Sequence, residues 1–268
     1  MANDEDVRKE VWNGKIPVLF RLCPSDVFLT EQPEPLYMAV MRQSYFPLVF
    51  SEKIHKYYKR YIDPDLTEAN IWLEDNNGMP VQWHWPIGVL FDLNSLTKVD
   101  LPWVITVHYK DFPQNNIIRF TSRDAVESLY MSNLKEADFL KHRGQLINVM
   151  QRHEIKMLFQ GLNEGNYEKF WSVNEKFMEC SETNKFRYIP IRLHIKHDII
   201  KQYAISNMNN ENTANPLISI NQSDERLVNI NYLTQGIKPP LDTPLLWLSR
   251  RLSYPDNFLH ICLLDLPS

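Results

Sequence analysis

The sequence predicts an α+β fold: two small sheet-and-helix units flank a helix-rich block, and a short N-terminal helix precedes them. Three observations carry this. Short β-branched and aromatic runs cluster from residue 16 to about 120 and again beyond residue 186. Between Ser122 and Lys176 there is no proline and those runs disappear. The last third also echoes the first, since RYIPIRLHI (Arg187 to Ile195) matches IPVLFRL (Ile16 to Leu22), including the Ile-Pro pairs Ile16-Pro17 and Ile189-Pro190.

Taken in order, residues 1–15 form an acidic amphipathic stretch. Ile16 to Leu22 is a strand stopped at Cys23-Pro24, and a loop through Pro33 and Pro35 leads to a second apolar run, Leu36 to Met41. Pro47 to Tyr61 is helical in pattern, with Val49, Ile54, Tyr57, Tyr58 and Tyr61 mostly three or four apart. Ile71 to Glu74 and Val81 to His84 flank Asn76-Asn77-Gly78, the composition of a tight hairpin. Alternation would place Trp83 and Trp85 on one face, as core or as a docking anchor. Pro86 to Leu93 reads as a short helix and Trp103 to Tyr109 as the closing strand of this first unit, 16–120. The order β-β-α-β-β-short helix-β is the ubiquitin-like (β-grasp) order.

The middle block, 121–180, opens with capping-box spacing at Thr121-Ser122-Arg123-Asp124. At about 100° per residue from Val126, a buried stripe is expected to hold Leu129, Tyr130, Ala137, Leu140, Gly144 and Ile147. Lys135 falls opposite that stripe, and Met131 and Phe139 lie nearer the exposed side. A second helix, Tyr167 to Met178, follows a break at Gly161 and Gly165, so two to three helices are expected. In the second unit, 186–268, Ile199 to Ile205 pairs with Arg187 to Ile195, and Asn207 to Ser223 reads as a solvated loop. Leu227 to Tyr232 is a strand, Thr243-Pro244 caps a helix, and Phe258 to Leu264 closes the sheet.

Composition narrows the function classes. With 29 basic and 33 acidic side chains among 268 residues the net charge is −4, so no basic field for nucleic acid exists. Cys23, Cys180 and Cys262 make no CxxC pair, which argues against a disulfide framework or zinc cage and for a reducing compartment. The opening MANDEDVRKEVW is no signal peptide, and no run approaches the ~20 apolar residues of a membrane span. No GxGxxG, Walker, HExxH or GxSxG motif occurs. His194 and His197, three apart on a strand and its end, point to opposite faces and make a poor metal pair. Cys180 sits between carboxylates in Glu179-Cys180-Ser181-Glu182, a poor place for a reactive thiolate, while Cys262 reads as core and Cys23 as inert beside Pro24. No catalytic residue, metal or cofactor is therefore expected. Lys53, Lys56, Lys59 and Arg60 cluster on the first helical pattern, either as a solvated face or as a weak attractor of anionic lipid.

Six blocks in order, DEDVRKEVWNGKIP, WHWPIGVLFDL, LPWVITVHYKDFP, MSNLKEADFLKH, FRYIPIRL and TPLLWLSRRLSYPDNFLHI, resemble the autophagy protein five family nearly end to end. The resemblance implies a scaffold with no catalysis of its own. It implies that Lys135, in MSNLKEAD, accepts the C-terminal glycine of the ubiquitin-like modifier autophagy protein twelve through an isopeptide bond. Activating and conjugating enzymes would supply that modifier as a thioester. The conjugate would then bind a helix of the coiled-coil autophagy protein sixteen and act like a ligase, attaching a second ubiquitin-like modifier to phosphatidylethanolamine. A cytoplasmic protein, peripheral at phagophore membranes, is implied too. The sequence closes on Leu266-Pro267-Ser268, without the Gly-Gly of a donor modifier, which fits an acceptor. Met131 and Phe139, flanking Lys135, are candidate docking neighbours. The runner-up is a non-covalent adaptor that binds helical peptides, and an enzyme built on Cys180 is the remote third.

Overall fold

A computed structural model describes residues 4–94, 101–119, 122–180, 185–196, 199–206 and 231–264. Helix α1 (Asp4–Asn13) leads into strand β1 (Lys15–Leu22), where Ile16, Val18, Phe20 and Leu22 turn inward and are at most 2% exposed. β2 (Leu36–Met41) pairs antiparallel with β1. A helical segment then crosses the sheet: α2 (Pro47–Val49) continues through a π-helical stretch (Phe50–His55) into α3 (Lys56–Tyr58). It buries Phe50, Ile54 and Tyr58 against Phe20, Trp103, Ile105 and Val107. After β3 (Trp72–Glu74) and α4 (Ile87–Asn94), β4 (Trp103–His108) returns parallel to β1, giving the order β2-β1-β4-β3.

The second unit repeats that topology. β5 (Tyr188–Lys196), β6 (Ile199–Ser206), β7 (Tyr232–Leu233) and β8 (Leu259–Leu263) stand in the order β6-β5-β8-β7. The echo of the Ile-Pro pairs extends to register. Pro17 sits opposite Ala39, and Pro190 sits opposite Ala204. In each unit the residue after the proline begins the parallel ladder, Val18 with Trp103 and Ile191 with Leu259. A proline cannot donate to a ladder, so it is tolerated where the central pairing has not yet started. A helix, which becomes α9 once the middle block is numbered, covers this sheet over Leu245–Leu252 and buries Leu245, Leu248 and Leu252.

Between the units lie four helices rather than two or three: α5 (Arg123–His142), α6 (Gln145–Val149), α7 (Arg152–Glu164) and α8 (Tyr167–Met178). Gly161 does not break a helix. It lies inside α7, where a Cβ would stand 2.7 Å from the Phe170 nitrogen, so glycine permits α7 and α8 to cross closely. Gly165 ends α7 at φ +66, a conformation glycine adopts without strain.

Three expectations are corrected. Val81 to His84 is not a strand: after a turn in which Asp75 Oδ1 accepts from Asn77 N and Met79 N, the Glu74–Pro80 bridge is flanked by the bonds Asp75 N to Met79 O and Val81 N to Leu73 O. Beyond Val81 the chain turns away, with Gln82 O accepting from Trp85 N at 3.1 Å. Trp83 and Trp85 therefore share no strand face. Trp83 is buried and donates to Ile118 O, whereas Trp85 reaches the second unit. The cap of α5 is Ser122, whose Oγ accepts from Ala125 N at 3.3 Å; Thr121 lies outside the described residues. Finally, α5 stops at Arg143 in the left-handed region (φ 62), which removes Gly144 and Ile147 from its stripe. The buried row is Val126, Tyr130, Leu134, Ala137, Asp138, Lys141 and His142, with Leu129 and Leu140 only half-buried. The expected loop Asn207 to Ser223, most of the expected strand Leu227 to Tyr232, and His197 lie outside the described residues.

Candidate functional site

α5 is a platform with one face in the core and one in water. Its acidic first turn (Asp124) and basic last turn (Lys141, His142) complement the helix dipole. Inward, Tyr130 meets Phe159 of α7 with ring centroids 5.9 Å apart. Outward, Lys135 is exposed, Phe139 is 61% exposed, and Met131 is half-buried with its side chain packed on the rim of the core. Lys135 lines a shallow hollow with Asp124, Glu127, Ser128, Met131 and Ser132.

The residues on either side of Lys135 tie this helix to the second unit. Arg192, on β5, donates from Nη2 to Asn133 Oδ1 and to Glu136 Oε2, both at 3.2 Å. Glu136 Oε1 also accepts from Gln202 on β6 at 2.6 Å. Arg192 is itself buried: its guanidinium lies 3.7 Å from the centre of the Phe258 ring, and Nη1 reaches Asp256 Oδ2 at 3.3 Å. Asp256 accepts from His260 Nε2 at 3.0 Å and from Phe258 N at 3.1 Å. With Nε2 donating to Asp256, a neutral His260 must accept through Nδ1 from His194 Nε2, 2.8 Å away. Trp85 of the first unit closes this cluster, edge-on to His194 at 5.0 Å.

These buried charges set the titration behaviour. Burial pulls the Asp256 carboxyl upward, but His260 and Arg192 outweigh it and hold the group below its usual range. Burial pushes His194 well below its ordinary value, and His260, Arg192 and His84 add to the shift. His84 falls to about 4 through burial and the Arg192 charge. In both histidines the folded value lies below the unfolded one, so the unfolded chain binds more protons below pH ~6.5. Their contribution to stability is complete above that pH and is lost as pH falls toward the folded values. Urea unfolding at pH 7.5 and 5 should therefore show a lower midpoint at pH 5, and His84→Gln should lessen the drop. Identical midpoints would refute the assignment.

A second buried group lies one turn and a half beyond Lys135. Lys141 donates to Asn257 Oδ1 at 3.0 Å and to Met178 Sδ at 3.4 Å, and burial lowers its pKa to about 7. Asn257 in turn donates to Asn174 on α8 at 2.7 Å. Thus the segment Tyr254–His260, which reads in sequence as an ordinary turn before the last strand, is the polar hub where all three blocks meet. Asp256, Asn257 and His260 interrupting a buried apolar run is the signal that marks it. The first and second units also join through Asp92, whose Oδ1 lies 2.5 Å from Arg42 Nη2 and whose Oδ2 accepts from Gly236 N at 2.9 Å. Gln43 and Gln235 pair nearby at 2.8 Å. α1 closes the far side, with Trp12 stacked on Phe170 at 4.7 Å and Arg8 over Trp171 at 4.8 Å.

The cysteines scatter: Cys262 is buried, and Cys23 and Cys180 are half-buried. Lys53, Lys56, Lys59 and Arg60 are exposed. Among the described residues no helix is long and apolar enough to cross a membrane.

This arrangement of two like sheets around a helical block matches three family models. Residues 11–109 match "Autophagy protein ATG5, UblA domain", 123–180 match its alpha-helical bundle region, and 188–263 match its UblB domain. Autophagy protein 5 of Drosophila melanogaster is 37% identical over 97% of both chains. The chain belongs to the autophagy protein 5 family. Autophagy-related protein 5 of Caenorhabditis elegans is 30% identical, covering 97% of this chain and 98% of its own. The crystal structure of Kluyveromyces marxianus Atg5 superimposes with a TM-score of 0.82 at 21% identity, over 97% of this chain and 99% of that one. The family places the chain in autophagy, among the partners of that pathway, and the two sheets are its ubiquitin-like domains.

Proposed function

We propose that this chain is the acceptor in a ubiquitin-like conjugation, with Lys135 as the residue acylated. One observation carries the reading. Of the two lysines in MSNLKEADFLKH, Lys135 stands in water on a helix packed on the core and tied to the second unit through Asn133 and Glu136, whereas Lys141 is 1% exposed and spent on Asn257 and Met178. In the step itself, Lys135 Nζ, as the free amine, attacks the carbonyl carbon of the thioester joining the conjugating enzyme to the C-terminal glycine of autophagy protein twelve. The C–N bond forms, the C–S bond breaks, the thiol stays with the conjugating enzyme, and the proton lost by the nitrogen leaves to that enzyme or to solvent. This chain supplies position, with Met131 and Phe139 as the neighbours against which the modifier or its enzyme seats.

On this reading the chain is a scaffold and not itself an enzyme. Its conjugate binds a helix of the coiled-coil autophagy protein sixteen and promotes lipidation of a second ubiquitin-like modifier. It works in the cytoplasm and peripherally at phagophore membranes. A denaturing gel of the tagged chain from its own cells tests the covalent step: a heavier, thiol-resistant band is expected in wild type and absent in Lys135→Arg. Read as a time course, the same gel should show slower conjugation for Met131→Ala with Phe139→Ala, and an unchanged rate would remove those two residues. No band in cells that hold the modifier and its enzymes would favour the non-covalent adaptor.

The exposed Lys53, Lys56, Lys59 and Arg60 support a direct electrostatic contact with anionic lipid. Binding to phosphatidylserine vesicles should weaken several-fold on raising salt from low to physiological strength, and salt-independent binding would refute this contact.

A further inference from the structure

We propose that Cys23, Asp26 and His108 form a binding site for a zinc-class divalent metal ion at one end of the first ubiquitin-like sheet. Their ligand atoms all lie within 4.8 Å of one another. The fold brings them together from two places far apart in sequence. β1 ends at Leu22, and Cys23 N donates to Val107 O at 2.9 Å, holding the thiol beside β4. The short 3₁₀ turn Pro24–Asp26 then folds the carboxylate beneath the end of that strand. There Asp26 Oδ2 accepts from Tyr109 N at 2.6 Å and from Lys110 N at 3.4 Å. His108 lies between Val107, which Cys23 bonds, and Tyr109, which Asp26 bonds, so all three ligands surround one strand end.

What the protein's own bonds leave open points to a ligand. Asp26 is 1% exposed, yet among the described residues its Oδ1 meets only Ser25 Oγ, at 3.4 Å. The Cys23 thiol meets that same hydroxyl, at 3.1 Å. His108 Nε2 lies 3.5 Å from Glu74 Oε2 and is buried without a hydrogen bond among the described residues. The ring itself is pinned flat against Trp72, with centroids 3.9 Å apart and planes 14° apart. A buried, half-satisfied carboxylate and a fixed imidazole beside a thiol is a donor set, and Cys23 and His108 are half-buried, so an ion can reach it. Metal–ligand distances of 2.0–2.3 Å place tetrahedral ligands about 3.5 Å apart, a modest contraction of this cluster. Thiolate, imidazole and one carboxylate favour zinc over magnesium or calcium, which take oxygen ligands. Water completes the fourth position. On binding, Cys23 gives its proton to solvent and its sulfur bonds the metal, with no change of oxidation state. The ion would clip the segment after β1 onto the end of β4. The absence of any CxxC spacing hides such a site from a reading of local motifs.

Cobalt(II) added to the full chain, stripped of metal with a chelator, tests this directly. One equivalent per chain should produce the near-ultraviolet thiolate charge-transfer band and the strong visible bands of a tetrahedral site, and zinc should bleach both. The band should vanish in Cys23→Ser and persist in Cys180→Ser. Zinc affinity, read by competition with a chromophoric chelator, should fall about tenfold or more in His108→Gln. Because Cys23→Ser alters one atom, it should melt like wild type in chelator while losing the stabilisation that zinc confers. No band in wild type, or an undiminished band in Cys23→Ser, would overturn the site.

Discussion

Lys135→Arg should remove the conjugate entirely while leaving the protein as stable as wild type. Arginine keeps the positive charge and the helix propensity of lysine, but its guanidinium does not form a stable amide with a thioester donor. The side chain is exposed, so its replacement costs within about 0.5 kcal/mol, and a thermal melt separates loss of acceptor from loss of fold. Lys141→Arg is the informative companion. It disturbs a buried group held by Asn257, so it should destabilise the fold and yet leave the conjugate on Lys135 in whatever protein remains folded. A heavier band that survives Lys135→Arg and disappears in another lysine variant would transfer the acceptor role to that residue.

Asp256→Ala should be the most destabilising single change at the junction, by about 3–5 kcal/mol, because it strips the buried Arg192 of its buried carboxylate and leaves it only the more exposed Glu136. Arg192 is 5% exposed and His260 is 1% exposed, so water cannot replace the lost carboxylate. The substitution also abandons the Phe258 N–H. Asp256→Asn keeps that acceptor and most of the shape, so it should cost less. Urea unfolding orders the three proteins; a loss below about 1 kcal/mol for the alanine variant, the range of an exposed ion pair, would show that the cluster is wet rather than buried.

Much of the fold is legible because its signals are local. Alternation in Lys15–Leu22 and the β-branched run Trp103–His108 carry their own period, and so does the helical pattern after Pro47. Lys135 is placed correctly on the water side because that judgement needs only the angle around one helix. Expectations failed where a local turn overrode the pattern. The turn from Gln82 to Trp85 cuts a second hairpin strand to one bridge, and Arg143, in the left-handed region, ends α5 before Gly144. The junction is illegible for a different reason. Arg192 with Asp256 and Lys141 with Asn257 are satisfied only by partners distant in sequence. Lys141 did leave a trace, since it falls at the edge of the apolar arc of α5, where a lysine breaks the pattern.

The clamp of Arg192 on Asn133 and Glu136 has a geometric consequence. A lysine on a free surface helix would let an attached protein swing on four methylenes and on the helix's own motion. Here the mount is bolted to the second sheet on both sides of the attachment point, so only the side chain is left to swivel. Whatever is joined at Lys135 is given a heading relative to both ubiquitin-like domains, and a larger assembly can be built on that heading.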